Sequence, residues 1–273
     1  MGKYTRKIVQ LASAVLYNAN IKGFRAGSLY KGAGKYICAP GLHCYSCPGA
    51  VASCPLGSFQ SALGRGWKAF PWYVLGLVIL FGVCLGRMIC SFFCPFGLLQ
   101  ELLYKIPGRK IPKGRWSRRL SWLKYGILAV FVVILPMYLA VPAFCKWICP
   151  AGTLEGGILH VFYTPMLRDM LGSTYWWKIS LAAVIVLISV FCFRPFCRFL
   201  CPLGAFYGFF NRIALFGVRC DENACIHCGK CVRNCRMDVR KINDGECIRC
   251  GECMEGCPVN AISMGRKKKE AGK

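Results

Sequence analysis

The sequence predicts an α-helical membrane protein that ends in a small α+β domain, and three observations support this fold class. The chain has 273 residues, 56% of them hydrophobic, and its mean hydropathy of +0.44 is too high for a soluble protein. Three apolar segments approach the ~20 residues that a spanning helix needs. The last quarter of the chain is different, because cysteine recurs there at short regular intervals.

The first segment, residues 1–69, combines a short amphipathic helix with a cysteine-rich stretch. The helix is too short to span a membrane alone and is typical of a helix that lies in the interface. A fourth, irregular span and an uncleaved signal-like anchor are the alternatives. Its apolar face contains Ile8, Leu11, Ala12, Val15 and Leu16, and the cysteines that follow are Cys38, Cys44, Cys47 and Cys54.

The second segment, residues 70–218, contains the predicted spans at about 70–88, 125–144 and 175–193. The loop before the second span is strongly basic, which favours the cytoplasmic side of a membrane. Its basic residues are Lys105, Arg109, Lys110, Lys113, Arg115, Arg118, Arg119 and Lys124.

A motif, Cys-Pro-x-Gly-x-(Phe/Leu), occurs four times and indicates metal ligands. Proline fixes the turn by which the backbone leaves a ligand, and glycine permits conformations or close packing denied to larger residues. A single copy also fits a proline that marks a helix end, but four copies tied to cysteine favour ligation. The first copy contains Cys54, and the others form the pairs Cys90 and Cys94, Cys145 and Cys149, Cys197 and Cys201.

Successive copies of the motif must lie on opposite sides of the membrane, because one predicted span separates each copy from the next. Two cysteine pairs then share the cytoplasmic side and supply four thiolates, enough for one [4Fe-4S] cluster. The predicted ligands of this inner cluster are Cys90, Cys94, Cys197 and Cys201.

The outer side offers six candidate thiolates, which exceed the needs of one cluster and fall short of two. We expect one [4Fe-4S] cluster held by Cys145, Cys149, Cys54 and one of the other three cysteines. The remaining two then form a disulfide or belong to a differently ligated centre. The candidates for the fourth ligand are Cys38, Cys44 and Cys47.

The third segment, residues 219–264, contains the run Cys-x2-Cys-x2-Cys-x3-Cys twice, which is the spacing of bacterial two-cluster ferredoxins. Three thiolates of each run hold one cluster, and the fourth reaches the other cluster. Structural zinc is the alternative, since Cys-x2-Cys also suits tetrahedral zinc, but eight cysteines in this order favour iron. The two ligand sets are Cys225, Cys228, Cys231 and Cys257, and Cys247, Cys250, Cys253 and Cys235.

The complete expectation is an α-helical membrane protein, with about three to four transmembrane helices and a C-terminal α+β dicluster ferredoxin-like domain, that holds about four [4Fe-4S] clusters. A basic tail, residues 265–273, follows. The net charge of +25 is partly cancelled by clusters of about −2 each, so no nucleic-acid partner is expected. Cys84, Cys192 and Cys220 remain; the first two are small core residues or members of a mid-membrane relay.

The chain resembles the NapH-type membrane polyferredoxins over about residues 70–264. The resemblance is carried by Gly86-Arg87-x2-Cys90-x3-Cys94-Pro95, by Arg194-Pro195-x-Cys197-x3-Cys201-Pro202 and by the two ferredoxin runs. It implies an electron carrier between the quinone pool or cytosolic donors and a redox partner. The N-terminal cysteines and the pair Cys145 and Cys149 are additions to the plainest family pattern.

Residues and resemblance together predict single-electron transfer along iron-sulfur clusters by a non-catalytic subunit of an oxidoreductase system. The expected location is the inner (cytoplasmic) membrane, crossed several times, with the ferredoxin domain in the cytoplasm. Expected partners are the membrane, a redox protein such as a flavoprotein or terminal reductase, and quinone. The alternative is a redox-sensing regulator or an assembly factor for a respiratory metalloenzyme.

Overall fold

The computed structural model describes residues 3–66 and 70–266, and these residues are mostly helical. The N-terminal part consists of three short helical elements and an extended cysteine-rich loop. In this loop Cys38 pairs with Ser53 in a parallel β-bridge. The helical elements are Lys3–Tyr17 (α1), Ile21–Ala26 (α2) and a 3-10 turn, Ala33–Tyr36.

The central module is built from helices that surround the cysteine motifs. In chain order its helices are Pro55–Leu63 (α3), Trp72–Leu85 (α4), Met88–Phe92 (α5), Pro95–Leu103 (α6), Arg115–Leu120 (α7), Leu123–Ile127 (α8), Leu135–Leu139 (α9), Ala143–Trp147 (α10), Ile158–Tyr163 (α11), Ser173–Phe191 (α12) and Pro202–Phe210 (α13); the π-helical segments are Leu128–Ile134, Gly152–Gly157 and Phe196–Leu200, and Pro165–Met170 is a 3-10 helix.

Two helices of the described residues are long and apolar enough to cross a membrane. They are Arg115–Leu139, with 25 residues, and Ser173–Phe191, with 19 residues. The first of these begins inside the segment that we expected to be a loop, because arginine, leucine and lysine are good helix formers there. It ends at Leu139, before the predicted boundary, because Ala140 takes a left-handed conformation.

The remaining predicted span is a shorter helix, Trp72–Leu85, of 14 residues. It stops before the predicted end at residue 88, because Gly86 has a φ of +55°, a conformation that glycine adopts easily. The chain then turns so that the Arg87 amide donates to Asn211 Oδ1 at 2.9 Å. The expected count of three to four spanning helices therefore stays a prediction.

Helix α1 is amphipathic as predicted, but its buried face is the polar one. Arg6 and Gln10 are 1% and 0% exposed and point at α5 and α6, where Gln10 Nε2 donates to the Cys94 carbonyl at 2.9 Å. The apolar side chains of the same helix face outward. These exposed residues are Ile8, Leu11, Val15 and Leu16.

The C-terminal domain has two antiparallel strands, Phe216–Cys220 (β1) and Ile262–Arg266 (β2), with Phe216 opposite Arg266 and Cys220 opposite Ile262. Two one-turn helices, Lys230–Arg233 (α14) and Glu252–Glu255 (α15), lie between them in sequence. This is the small α+β unit that the spacing of the cysteines predicts. Residues 267–273 of the predicted basic tail lie outside the described residues.

Buried ion pairs join this domain to the central module. Arg87 and Lys124 contact Glu246 at 2.9 and 2.5 Å, and Arg198 contacts Asp238 at 2.5 Å. Burial would raise the pKa of Glu246, but the charges of Arg87 and Lys124 hold it below its ordinary value. The basic end of the helix Arg115–Leu139 and the ferredoxin domain therefore lie against each other.

Candidate metal centres

Four cysteines, which we call the inner tetrad, surround one buried cavity in the central module. The rest of the cavity lining is apolar residues, among them Leu42 and Phe196, and Gly41. None of the four side chains is more than 6% exposed. The structure thus brings together two cysteine pairs that are more than a hundred residues apart, Cys90 and Cys94 with Cys197 and Cys201.

A second group of four, the outer tetrad, combines the remaining central pair with two N-terminal cysteines. Cys145 lies close enough to Cys54 and Cys44 for their charges to interact, and Cys149 interacts with all three. Among the three cysteines that the sequence left open as fourth ligand, the structure therefore places Cys44 in this group.

The other two N-terminal cysteines have separate surroundings. Cys47 Sγ donates to Asn18 Oδ1 at 3.3 Å, and Cys38 lies beside Cys54 in the bridged loop. All cysteines of the described residues are free thiols, so the disulfide left open by the sequence is absent from this part of the chain.

The Cys-Pro-x-Gly motif places each cysteine at the N-terminus of a helix. Cys94 and Cys201 are N-cap residues with proline at the first helical position. The amide of the motif glycine, three residues after the cysteine, donates to the cysteine sulfur at 3.4 Å. The Cys149 motif has the same 3.4 Å contact. Because a helix N-terminus stabilises negative charge, the glycine amide offsets part of the effect of burial, which raises the pKa of the Cys94 and Cys201 thiols.

A buried glutamine donates a hydrogen bond to the inner tetrad, and the sequence did not predict this contact. Gln100 Nε2 donates to Cys197 Sγ at 3.2 Å, while its Oε1 accepts from the Phe196 amide at 3.1 Å. The side chain is 1% exposed. One residue therefore donates to a thiolate and also fixes the backbone beside it.

The outer tetrad has a matching glutamine. Gln60 Nε2 lies 3.5 Å from Cys145 Sγ, and its Oε1 accepts from the Phe144 amide at 3.0 Å. The sequence contained the signal, because Gln60 and Gln100 both stand six residues after a motif cysteine. The two centres are thus built on the same local plan.

Two buried guanidinium groups add positive charge beside the inner tetrad. Arg194 donates to the Cys90 carbonyl at 2.5 Å and to Glu101 at 2.9 Å, and Arg87 donates to the Cys197 carbonyl at 3.2 Å. Both arginines are 0% exposed. Their charge offsets the negative charge that four thiolates and a cluster bring into an apolar cavity.

In the ferredoxin domain, four cysteines of one predicted ligand set line a common cavity with Phe193. Burial raises the pKa of Cys235 to about 11 and that of Cys250 and Cys253 to about 12. Free of metal these thiols stay protonated at neutral pH, so iron binding must release protons. The set is Cys235, Cys247, Cys250 and Cys253.

The other ferredoxin set lies nearer the surface. Cys225, Cys231 and Cys257 all interact with Cys220, the leftover cysteine at the end of β1, and Cys228 is exposed. Burial raises the pKa of Cys220 to about 11. Cys220 therefore neighbours this set without belonging to the Cys-x2-Cys run.

The residues fit [4Fe-4S] clusters. The inner cavity is apolar, is bordered by four sulfurs and receives N–H donors and positive charge. Within residues 3–66 and 70–266, no three His, Cys, Asp or Glu side chains converge as ligands of a single metal ion. A cubane, unlike a single ion, holds its thiolates at four separate corners.

Comparison with known proteins finds two family descriptions, both of a 4Fe-4S binding domain. One matches residues 69–114, 122–162 and 174–219, and the other matches residues 240–263. The first description covers the three cysteine pairs of the central module, and the second covers the last ferredoxin run. The N-terminal cysteine loop lies outside both.

Several curated proteins resemble the chain. An uncharacterized protein of Methanocaldococcus jannaschii is 32% identical over 175 residues, which are 61% of this chain and 65% of the relative. The Escherichia coli protein named as electron transport protein YccM is 30% identical over 171 residues, 60% and 46% of the two chains. The methylamine utilization ferredoxin-type protein MauN of Methylobacillus flagellatus is 29% identical over 171 residues, 59% and 51%.

The chain thus spans about half to two thirds of the length of these relatives. The regulatory protein NosR of Pseudomonas aeruginosa is 27% identical over 157 residues, which are 55% of this chain and 20% of that protein. No solved structure matches the chain.

Proposed function

We propose that this chain, whose 4Fe-4S binding domains relate it to iron-sulfur electron-transfer proteins, is a membrane polyferredoxin of the NapH type. It passes single electrons from donors on the ferredoxin side to a redox partner across the membrane. Each of about four [4Fe-4S] clusters, when bound, takes up and releases one electron. The observation that carries the proposal is a line of four cysteine sets in which each set adjoins the next, directly between the two ferredoxin sets and through buried residues beyond them.

The two ferredoxin sets adjoin each other. We call the set Cys235, Cys247, Cys250 and Cys253 the buried set and the set Cys225, Cys228, Cys231 and Cys257 the exposed set. Cys253 of the buried set interacts with Cys231 of the exposed set. Because Cys228 of the exposed set faces solvent, this end of the line is open to a soluble donor.

Hydrogen bonds connect the buried ferredoxin set to the inner tetrad. Asn211 Nδ2 donates to the Cys247 carbonyl at 2.6 Å, and its Oδ1 accepts from the Arg87 amide. Arg87 in turn donates to the carbonyls of Gly245, at 2.9 Å, and Cys197, at 3.2 Å. Arg87 and Asn211 therefore fix the ferredoxin domain against the inner ligands.

A buried tyrosine is close to ligands of both tetrads. Tyr207 is 0% exposed and interacts electrostatically with Cys90 and Cys201 of the inner tetrad and with Cys54 of the outer tetrad. The outer tetrad is then the far end of the line. We assign its cluster to Cys44, Cys54, Cys145 and Cys149 and place it toward the outer face of the inner membrane, where it meets an acceptor.

The partners follow from this arrangement. A soluble flavoprotein suits the exposed ferredoxin end, and a terminal reductase or quinone suits the outer end. The transfer between the chain's own clusters needs no acid-base residue, because it makes and breaks no covalent bond; the two protons that reduction of a quinone takes up would be supplied at the quinone's own site.

The direct test is the metal content of anaerobically purified protein. We expect close to 16 iron and 16 sulfide per chain, because four cubanes contain four of each. About eight of each, all retained in a double variant with Cys94→Ser and Cys145→Ser, would show that only the ferredoxin domain binds clusters. Zinc in place of iron would overturn the proposal.

The match to a protein named as regulatory supports a second candidate, a redox-sensing regulator or assembly factor. The two functions differ in the number of electrons that pass through each chain. An electron carrier in vesicles transfers many electrons from a reductant on one side to an acceptor on the other, whereas a sensor stops after its clusters are reduced once.

A further inference from the structure

A short segment of the N-terminal loop, Pro40–Cys44, passes between the inner and outer tetrads. Leu42 and Gly41 line the inner cavity, and Cys44 belongs to the outer tetrad. The segment is sequestered from solvent, with Leu42 2% and His43 1% exposed. Its sequence contains no motif, so the pattern of cysteines alone gives it no role beyond a ligand.

Two successive amides of this segment contact ligands of different tetrads. The Leu42 amide lies close to the sulfur of Cys94, an inner ligand. The next amide, of His43, lies close to the sulfur of Cys54, an outer ligand. A single residue step of backbone therefore separates the two sulfur contacts.

Close packing holds the segment against the inner ligands. A Cβ atom at position 41 would lie 2.8 Å from the Phe93 carbonyl oxygen and 2.9 Å from Cys94 Cα. Such distances are shorter than van der Waals contact, so only glycine lets the two backbones approach this closely.

Side chains fix both ends of the segment. Tyr207, the buried tyrosine that is close to both tetrads, donates a hydrogen bond from its hydroxyl to the Pro40 carbonyl at 3.0 Å. At the other end the Cys44 amide donates to Glu155 Oε2 at 2.7 Å, and His43 Nδ1 lies 3.1 Å from the same oxygen. The segment is thus pinned by elements of two different motif copies, the helices after Cys201 and Cys149.

We infer that Gly41, Leu42 and His43 form the backbone bridge that couples the inner and outer centres, with Gly41 and Tyr207 as its positioning residues. The inference rests on the proposed function. In the transfer one electron passes from the inner centre to the outer centre. The inner centre is thereby oxidised by one electron, and the outer centre is reduced by one electron. No proton or covalent bond is exchanged.

The test is the rate of transfer between the two centres in the variant Gly41→Ala. Purified full-length protein receives less than one electron per chain from a photochemical reductant, and freeze-quench electron paramagnetic resonance follows the inner and outer signals in time. The signals are assigned with Cys94→Ala and Cys145→Ala. We expect Gly41→Ala to keep both signals and to slow the transfer severalfold, because the rate of electron transfer falls steeply as the contacts between two centres lengthen.

Gly76→Ala is the matched control, because a Cβ atom there meets nothing within 4 Å. It should transfer at the wild-type rate. Tyr207→Phe is a second variant that removes only the hydroxyl contact with Pro40, and we expect it also to slow the transfer while both signals remain. It replaces Gly41→Ala if that variant loses iron.

The outcomes separate the inference from the proposed function. Wild-type protein without inner and outer signals refutes the proposed function. Two signals in the wild type, with wild-type rates in both Gly41→Ala and Tyr207→Phe, refute the bridge. Slowing in Gly76→Ala as large as in Gly41→Ala also refutes it, because the effect would then not depend on the segment.

Discussion

Replacement of Gln100 by leucine should lower the reduction potential of the inner centre alone. The change removes the N–H donor 3.2 Å from Cys197 Sγ and keeps a side chain of similar size. Reduction adds negative charge to the thiolates, so the lost hydrogen bond stabilised the reduced state more than the oxidised state. The potential of Gln100→Leu must therefore become more negative.

The magnitude follows from the strength of one hydrogen bond to a charged group, about 1.5–3 kcal/mol. For one electron about 59 mV corresponds to a tenfold change in equilibrium constant, or about 1.4 kcal/mol, so the whole bond would amount to about 65–130 mV. Only part of the added electron resides on one thiolate. We therefore expect a shift of about 30–60 mV.

The assay is a redox titration monitored by electron paramagnetic resonance, and Gln60→Leu provides a crossed control. Gln60 has the same two contacts in the outer tetrad, so its replacement should shift the outer signal and leave the inner one unchanged. Equal shifts of both signals in either variant, or no shift in both variants, would refute the reasoning. Loss of stability alone would not move the potentials selectively.

Three further predictions concern topology, ligation and stability. Reporter fusions after Gly114 and after Arg168 should give opposite signals, because the helix Arg115–Leu139 lies between them; the same signal from both would contradict the two-sided arrangement. Cys94→Ala and Cys201→Ala should each abolish the same resonance, and the double variant should lose no further iron. Glu101→Gln should lower the free energy of unfolding at pH 7 by up to about 3 kcal/mol, measured by denaturant titration in detergent.

The pH dependence of the Glu101 effect has a definite sign. Burial would raise the pKa of Glu101, but the charges of Arg194, Arg6 and Lys7 lower it to about 2. A carboxylate with a depressed folded-state pKa stabilises the fold above its unfolded value of 4.5. The difference between wild type and Glu101→Gln should thus be complete at neutral pH and vanish as the pH falls toward 2. A constant difference down to pH 2 would contradict the ion-pair account.

A regular spacing limited which cysteines could lie together in space. One predicted span between successive motif copies puts Cys94 and Cys201 on the same side, and in the structure both line the inner cavity; their ligation of one cluster stays a prediction. The Cys-x2-Cys-x2-Cys-x3-Cys runs likewise predicted the small α+β domain that the structure contains. The ends of helices were predicted less well, because Gly86 and Ala140 stop helices at points where hydropathy continues.

Residues that form hydrogen bonds between distant parts of the chain were not predictable, because such bonds produce no repeating pattern in the sequence. Arg87 and Asn211 are 124 residues apart, yet one bond between them orders the ferredoxin junction. A buried arginine near the end of an apolar helix is usually explained by its reach to the headgroups. In this fold Arg87 turns inward instead, because the break at Gly86 directs it to Glu246.

The N-terminal loop shows how far a spacing argument extends. Cys44, Cys47 and Cys38 were equivalent in sequence, since all precede the same motif cysteine. In the structure the three cysteines differ in their contacts. The Cys44 amide donates a hydrogen bond to Glu155, a residue of the helix that starts after Cys149. Its place in the outer tetrad therefore depends on a contact made 111 residues along the chain. Glu155→Gln keeps the acceptor oxygen and should leave the outer signal in place, whereas Glu155→Ala should weaken it; equal effects of the two variants on that signal would show that Cys44 is not held there by this bond.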